Sequence, residues 1–251
     1  MRERPSWELA SVRNAARLLK EFAGADRELG VTELARRLGL ATSTVHRMLA
    51  TLAAERLLER TPGGYRLGLA VFDLGARAGP VDLHEAALPA MAGLRAATGE
   101  TVQLAVLDGL ESVYIDRLES PHTVRIFARV GTRLPAATTS TGKVLLANLA
   151  PHELDARLAG WTPQRVTPFT IVDERVLRAR LREVAARGWA ENREESRIGV
   201  VSVGAPVRGE GGTVLAALSV ATPTDRAAPA TLTRTRAAVL DAASAVSRRL
   251  Q

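Results

Sequence analysis

The segment ELARRLGLATSTVHRMLATL, residues 33–52, constrains this chain more than any other stretch. Two short amphipathic runs flank the turn Gly39-Leu40-Ala41. The first places Leu34, Ala35 and Leu38 on one stripe; the second places Val45, Met48, Leu49 and Leu52 on another, with Thr42 or Ser43 positioned to cap it. Two helices that cross closely need a small residue at the contact, a residue tolerant of unusual φ at the turn, and apolar residues that lock the second helix. Ala35, Gly39, Val45 and Met48 stand in that order. Upstream, SVRNAARLLKEF puts Val12, Ala15, Ala16, Leu19 and Phe22 on one helical face. Downstream, RLLERTPGGYRLG reads as two short strands around Pro62-Gly63-Gly64. Three helices followed by a hairpin predict a winged helix-turn-helix over residues 1–68.

The side chains left outside this packing are Thr42, Ser43, Thr44, His46 and Arg47, all able to hydrogen-bond. An α-helix about 10–12 Å across fits a DNA major groove about 12 Å wide. Arg47 suits a guanine edge, Ser43 and Thr44 suit phosphates, and Arg60 and Arg66 flank the hairpin turn where adjacent phosphates would lie. The bland alternative is a helical packing module with a solvated polar face. Charge supports the nucleic-acid reading. The chain carries a formal net charge of +7, and residues 1–70 hold 12 Lys or Arg against 8 Asp or Glu. A basic balance favours an anionic partner without specifying a fold.

The 251 residues suffice for two domains. A helix over residues 69–79 is expected to link them, with Pro80 at the boundary; an equal alternative makes it the last helix of the small domain. From residue 81 to 251 helical and strand-like stretches mix. TVQLAVLDG, ESVYIDRLE, TVRIFARVG, WAENREE, VVSVGAPVRG and TVLAALSVATP read as strands. Helices are expected over 141–158, 173–187 and from Ala230 to Leu250, besides LHEAALPAMAGLRAATG. Consecutive strands joined by short turns predict an α+β domain on a largely antiparallel sheet.

The run TTSTGKVLLA, residues 138–147, superficially suggests a phosphate loop. That motif requires G-x-x-x-x-G-K-[ST], and Ala137 and Val144 replace its first glycine and last hydroxyl. What survives is a helix start preceded by hydroxyls, which is either an ordinary capped helix or a site for an anion. Lys143, near that start, is free to pair with a ligand or to face solvent.

The chain has no cysteine, and His46, His84, His122 and His152 stand far apart, so neither disulfides nor a zinc site is expected, and no cofactor is called for. Asp108, Glu111, Asp116 and Glu119 lie in or beside strands without a histidine partner at motif spacing. That leaves an enzyme acting on a small acid, with a basic docking module, as a poorly supported alternative. A DNA-binding protein without any ligand is another. The N-terminal MRERPSWELA lacks the apolar core of a signal peptide and no apolar run approaches the ~20 residues that span a bilayer, which predicts a cytoplasmic protein with no membrane partner.

The stretches SVRNAARLLKEF, VTELARRLGLATSTVHRMLATL and GGYRLGLAVFDLG, and further on RVGTRLPAATTSTGKVLLA, ENREESRIGVVSVGAPV and VLAALSVATP, resemble the isocitrate-lyase-repressor (IclR) family of bacterial transcription regulators. The resemblance covers nearly the whole chain. It implies a winged helix-turn-helix, a linker helix over 69–80, and a GAF-like effector-binding domain over 81–251. It also implies a homodimer or a dimer of dimers on a near-palindromic DNA operator, controlled by a small-molecule effector, repressing or activating. Position by position it places Ser140, Thr141 and Gly142 at a helix start that walls the effector pocket, Ile126 and Leu134 as apolar wall, and Asn192, Ser202 and Ser219 as polar groups. Several members carry an acidic residue in place of Asn192 and a cysteine in place of Ser202. A neutral amide tolerates a ligand carboxylate better than an aspartate does, which makes an organic acid the expected effector.

Overall fold

The computed structural model describes residues 8–23, 25, 27–75, 81–123, 126 and 129–251. The chain divides into two compact units, Met1–Val81 and Asp82–Gln251.

In the first unit, α1 (Ala10–Ala23), α2 (Val31–Leu38) and α3 (Thr42–Ala54) precede a hairpin of β1 (Leu58–Thr61) and β2 (Gly64–Leu67). Leu18, Phe22, Leu29, Leu34, Leu38, Val45, Leu49, Leu52, Leu58 and Tyr65 form its core. Gly39 ends α2 at φ 66° and ψ 35°, and its amide and that of Leu40 both turn back to the Ala35 carbonyl. A residue with a Cβ disfavours that left-handed conformation, which is why the sharp turn falls on glycine. The hairpin is tied in by Leu29 and Tyr65, which exchange two backbone hydrogen bonds of 3.0 Å. A Cβ on Gly64 would lie 2.6 Å from the Leu29 carbonyl oxygen, so this close approach requires glycine.

Two local expectations fail here. Of the face expected on α1, Phe22 is buried and Ala15 and Leu19 are half-buried, but Val12 and Ala16 are exposed, and Leu18, off that stripe, is buried. The pattern admits two neighbouring stripes, and the one carrying Leu18 removes more apolar area from water. Nor does Thr42 or Ser43 cap α3. The extended residue before the helix is Ala41, whose carbonyl accepts from Thr44 and Val45, so Thr42 is already helical. The short helix α4 (Leu69–Gly75) follows and buries none of its residues. The rest of the expected linker, residues 76–80 with Pro80, lies outside the described residues.

The second unit is built on one antiparallel sheet of six strands. These are β3 (Thr101–Asp108), β4 (Glu111–Leu118), β5 (Arg133–Pro135), β6 (Ala190–Arg193), β7 (Val200–Arg208) and β8 (Val214–Pro223), in the order β5-β4-β3-β8-β7-β6. Helices α5 (Val81–Thr98) and α9 (Pro229–Arg249) cover one face. They bury Met91, Leu94, Val239 and Val246 against Val102, Leu104, Val207, Leu218 and Val220. The other face carries α6 (Ser140–Ala147) and α8 (Glu174–Arg187), with α7 (Pro151–Leu158) beside them. Val144, Leu145 and Val184 pack there against Ala190 and Ala217. Strand alternation decides which residues face α6. With Val102, Leu104, Leu218 and Val220 turned to α5 and α9, Gln103, Ser219 and Ser202 fall on the opposite face.

The strand expected over 123–131 falls partly outside the described residues, and Ile126 and Arg129–Gly131 are not in a strand; the edge strand is Arg133–Pro135. The single helix expected over 141–158 is two, because Asn148 ends α6 and Pro151, which lacks an amide hydrogen, opens α7. Among the described residues no helix is long and apolar enough to cross a membrane.

Candidate functional site

Two regions concentrate uncommitted polar groups. On α3, Thr42, Ser43, His46 and Arg47 are exposed and Thr44 half-buried, opposite the buried stripe Val45, Leu49 and Leu52. Among the described residues the side chains of these five form no hydrogen bond or ion pair. Three other arginines of this unit are committed: Arg13 to Glu8, and Arg27 and Arg37 to Glu33. At the hairpin Arg60 is exposed, while Arg66 lies across from Glu59 and donates to both its carboxylate oxygens at 2.9 and 3.0 Å. The two arginines expected to follow phosphates are therefore not equivalent. Arg47 also borders a groove of about 440 Å³ between α1 and α3, together with Val12, Ala15, Thr44, Met48 and Thr51.

The second region is a cavity of about 100 Å³ on the α6 face of the sheet. Its wall includes Gln103 from β3, Tyr114 from β4, Asn192 from β6, Val200 and Ser202 from β7, and Ala221 from β8. Ile126, Thr132 and Leu134 close the side near β5, Thr139 the side near α6, and Ser196 and Arg197 the rim after β6. Of the residues singled out from the sequence, Ile126, Leu134, Asn192 and Ser202 line this cavity. Ser140, Thr141, Gly142 and Ser219 lie behind it. Ser140 shares a hydrogen bond of 2.8 Å with Ser202, and Thr141 one of 2.8 Å with Ser112. Ser219 is buried in β8 between Gln103 and Gly204. Gly142 packs so closely that a Cβ there would lie 2.3 Å from the Ala136 backbone.

Thr139 caps α6, its hydroxyl oxygen accepting from the Gly142 amide at 2.9 Å and its carbonyl from the Lys143 amide at 3.0 Å. The amides of Ser140 and Thr141 have no acceptor among the described residues. Burial pushes the Tyr114 phenol up to about 12, although a hydrogen bond with Thr141 lowers it somewhat, so Tyr114 is a neutral hydroxyl at any ordinary pH.

Models of two families match the chain: "Bacterial transcriptional regulator IclR C-terminal" over residues 76–248 and "IclR helix-turn-helix domain" over residues 11–62. The chain belongs to the IclR family. The HTH-type transcriptional regulator XynR of Escherichia coli is 35% identical over 245 residues, covering 96% of this chain and 97% of the relative. The crystal structure of an IclR transcriptional regulator from Alicyclobacillus acidocaldarius superposes with a TM-score of 0.85 at 31% identity, over 98% of this chain and 100% of the other. An IclR homologue from Microbacterium hydrocarbonoxydans, solved in complex with 4-hydroxybenzoate, gives a TM-score of 0.85 at 30% identity over 96% and 99%. This IclR protein is thus a DNA-binding transcriptional regulator with an effector-binding domain, from a family of regulators rather than of enzymes.

The structure settles the place of Lys143. It faces neither solvent nor the cavity: it is fully buried, and its Nζ lies 2.5 Å from Oε1 of Glu195. Burial outweighs the attraction of Glu195 and holds the ammonium below the ordinary lysine range. Helix period alone could not find this, because the partner lies 52 residues away. Thr139, Tyr114 and Arg197 were also missed, since strand pairing and a loop bring them to the cavity. Asp116 does meet a histidine, contrary to expectation: His84 Nδ1 lies 2.8 Å from its Oδ2. Spacing hid the pair because His84 comes from α5. His84 is mostly exposed, and among the described residues no group of three or more His, Asp or Glu could hold a metal.

Proposed function

We propose that this IclR-family regulator acts in the cytoplasm as a homodimer or a dimer of dimers, reading a near-palindromic operator and responding to an organic acid. Residues 1–68 serve as the reading head, 69–80 as the linker and 81–251 as the effector domain. The observation that carries the DNA reading is the uncommitted outer face of α3. Arg47 and His46 contact base edges, Thr42, Ser43 and Thr44 contact phosphates near the helix start, and Arg60 follows the neighbouring backbone from the hairpin. Arg66 reaches phosphate only by releasing Glu59, and contributes less. Leu69, Phe72 and Leu74 on α4 are 84, 75 and 63% exposed, which supports their burial by a second copy.

The effector occupies the cavity at Ile126, Leu134, Asn192 and Ser202. Its carboxylate approaches the start of α6 beside Thr139, where the partial positive charge of the helix end favours an anion. Ser219 and Gly142 support the wall from behind. The complex of the Microbacterium homologue with 4-hydroxybenzoate favours a small acid as ligand class. The effector acts by binding more tightly to one of two arrangements of the DNA-binding domains.

Fluorescence anisotropy against the DNA upstream of the gene, titrated at several salt concentrations, tests the first half. Binding stronger than to random DNA is expected at every salt, with affinity falling as salt rises; equal affinity for both DNAs overturns the reading. For the second half, Ser196→Phe fills the cavity from its rim. It should abolish acid-induced thermal stabilisation while operator binding persists, and an undiminished shift would place the ligand elsewhere.

A further inference from the structure

The cavity's wall is neutral except at one point. Among the described residues that line it, Arg197 carries the charge and no carboxylate faces it. Arg197 is exposed and makes no hydrogen bond or ion pair with the described residues, although two glutamates precede it closely in sequence. Both are occupied. Glu194 Oε1 accepts from the Gly199 amide at 2.8 Å, and Glu195 is held by buried Lys143 at 2.5 Å.

The loop presenting Arg197 is fixed from several sides. Asn192 Oδ1 accepts from the Glu195 amide at 2.8 Å, Thr170 donates to the Glu195 carbonyl at 2.8 Å, and Thr167 donates to the Glu194 carbonyl at 2.7 Å. Glu194 itself has φ 58° and Gly199 φ 80°, so the loop turns sharply at both ends. With the loop backbone already held, binding has to order only the Arg197 side chain, whose planar fork matches a carboxylate with two parallel hydrogen bonds.

Building on the effector reading above, we infer that Arg197 determines effector specificity and that the effector is a short dicarboxylate. One carboxylate meets the start of α6 beside Thr139, and the second meets Arg197 at the rim. Thr139 and Arg197 line the same cavity of about 100 Å³, so a small molecule held there lies against both.

Isothermal titration of the full chain with matched acids tests this: succinate and glutarate against butyrate and pentanoate. The dicarboxylates should bind roughly tenfold more tightly, as expected for one added charge-assisted pair. Arg197→Gln should remove that advantage and leave the monocarboxylates within about twofold, while Arg197→Lys, a point charge without the fork, should keep part of it. Because Arg197 is exposed, neither substitution threatens the fold. Equal affinities for both classes in the unsubstituted protein, or equal weakening of both classes by Arg197→Gln, would overturn the inference while leaving the organic-acid reading intact. Failure of every acid to bind would overturn both.

Discussion

A lysine buried with a single carboxylate is the costliest choice this chain makes at the level of one residue. Removing two charges from water is expensive, and the pair is tolerable only because each neutralises the other. Glu195→Ala leaves the Lys143 ammonium uncompensated and should lower unfolding free energy by about 3–5 kcal/mol in urea titrations, whereas adding Lys143→Met should recover much of that loss. A simple sum of the two single losses would show that they do not act as a pair. Tyr114 supplies a pH signature of opposite character. Its folded value, about 12, exceeds the ordinary 10, so the folded state holds the proton longer than the unfolded one. The group's contribution is complete below pH 10 and drains away between pH 10 and 12, by up to about 3 kcal/mol. Tyr114→Phe should lack that alkaline loss. The burial of neither was legible: Lys143 was singled out only as a ligand partner or a solvated side chain, since nothing local distinguishes a lysine on a helix that will be covered, and Tyr114 is one aromatic in an alternating strand. Ala137 and Val144, by contrast, ruled out the phosphate loop from sequence alone.

Elements declared themselves in proportion to how local their causes are. The turn between α2 and α3 is written in Gly39, whose left-handed backbone has open space around it. Gly39→Val should therefore cost about 1–2 kcal/mol from backbone strain alone, measurable as a lowered melting temperature of the DNA-binding unit. A loss near zero would mean the turn relaxes. Strands β3, β4, β7 and β8 stood where expected; of these only β4 alternates in burial, while β3, β7 and β8 are buried along most of their length because helices cover both faces of the sheet. The edge strand β5 did not, although β6 at the other edge did. Arg133–Pro135 has three residues and pairs on one side only, with β4, too little to imprint a period. The α1 stripe failed for a related reason: Val12 and Leu18 are both plausible core residues until the tertiary partner is known. For the pocket, the residues named through the family resemblance fell on or just behind the wall, but the rim cation Arg197 sits in an irregular loop that no periodicity describes.

At the scale of the molecule, net charge proved a coarse guide. The excess of basic residues over residues 1–70 is real, yet Arg13, Arg27, Arg37 and Arg66 spend theirs on neighbouring carboxylates. What remains unpaired among the described residues is a smaller set: Arg47 on the outer face of α3 and Arg60 on the hairpin, with Arg17, Lys20, Arg36 and Arg56 elsewhere on the unit. The bare start of α3 has a kinetic meaning as well. With Ala41 in place of a capping side chain, the Thr42 and Ser43 amides have no acceptor among the described residues, while those of Thr44 and Val45 reach the Ala41 carbonyl. Unaccepted amides trade their hydrogens with solvent freely. In the proposed DNA complex a phosphate oxygen would supply that acceptor. Deuterium uptake at residues 42 and 43 should slow sharply when the operator is added and stay unchanged with the effector alone, so two backbone hydrogens would report whether the reading head is engaged.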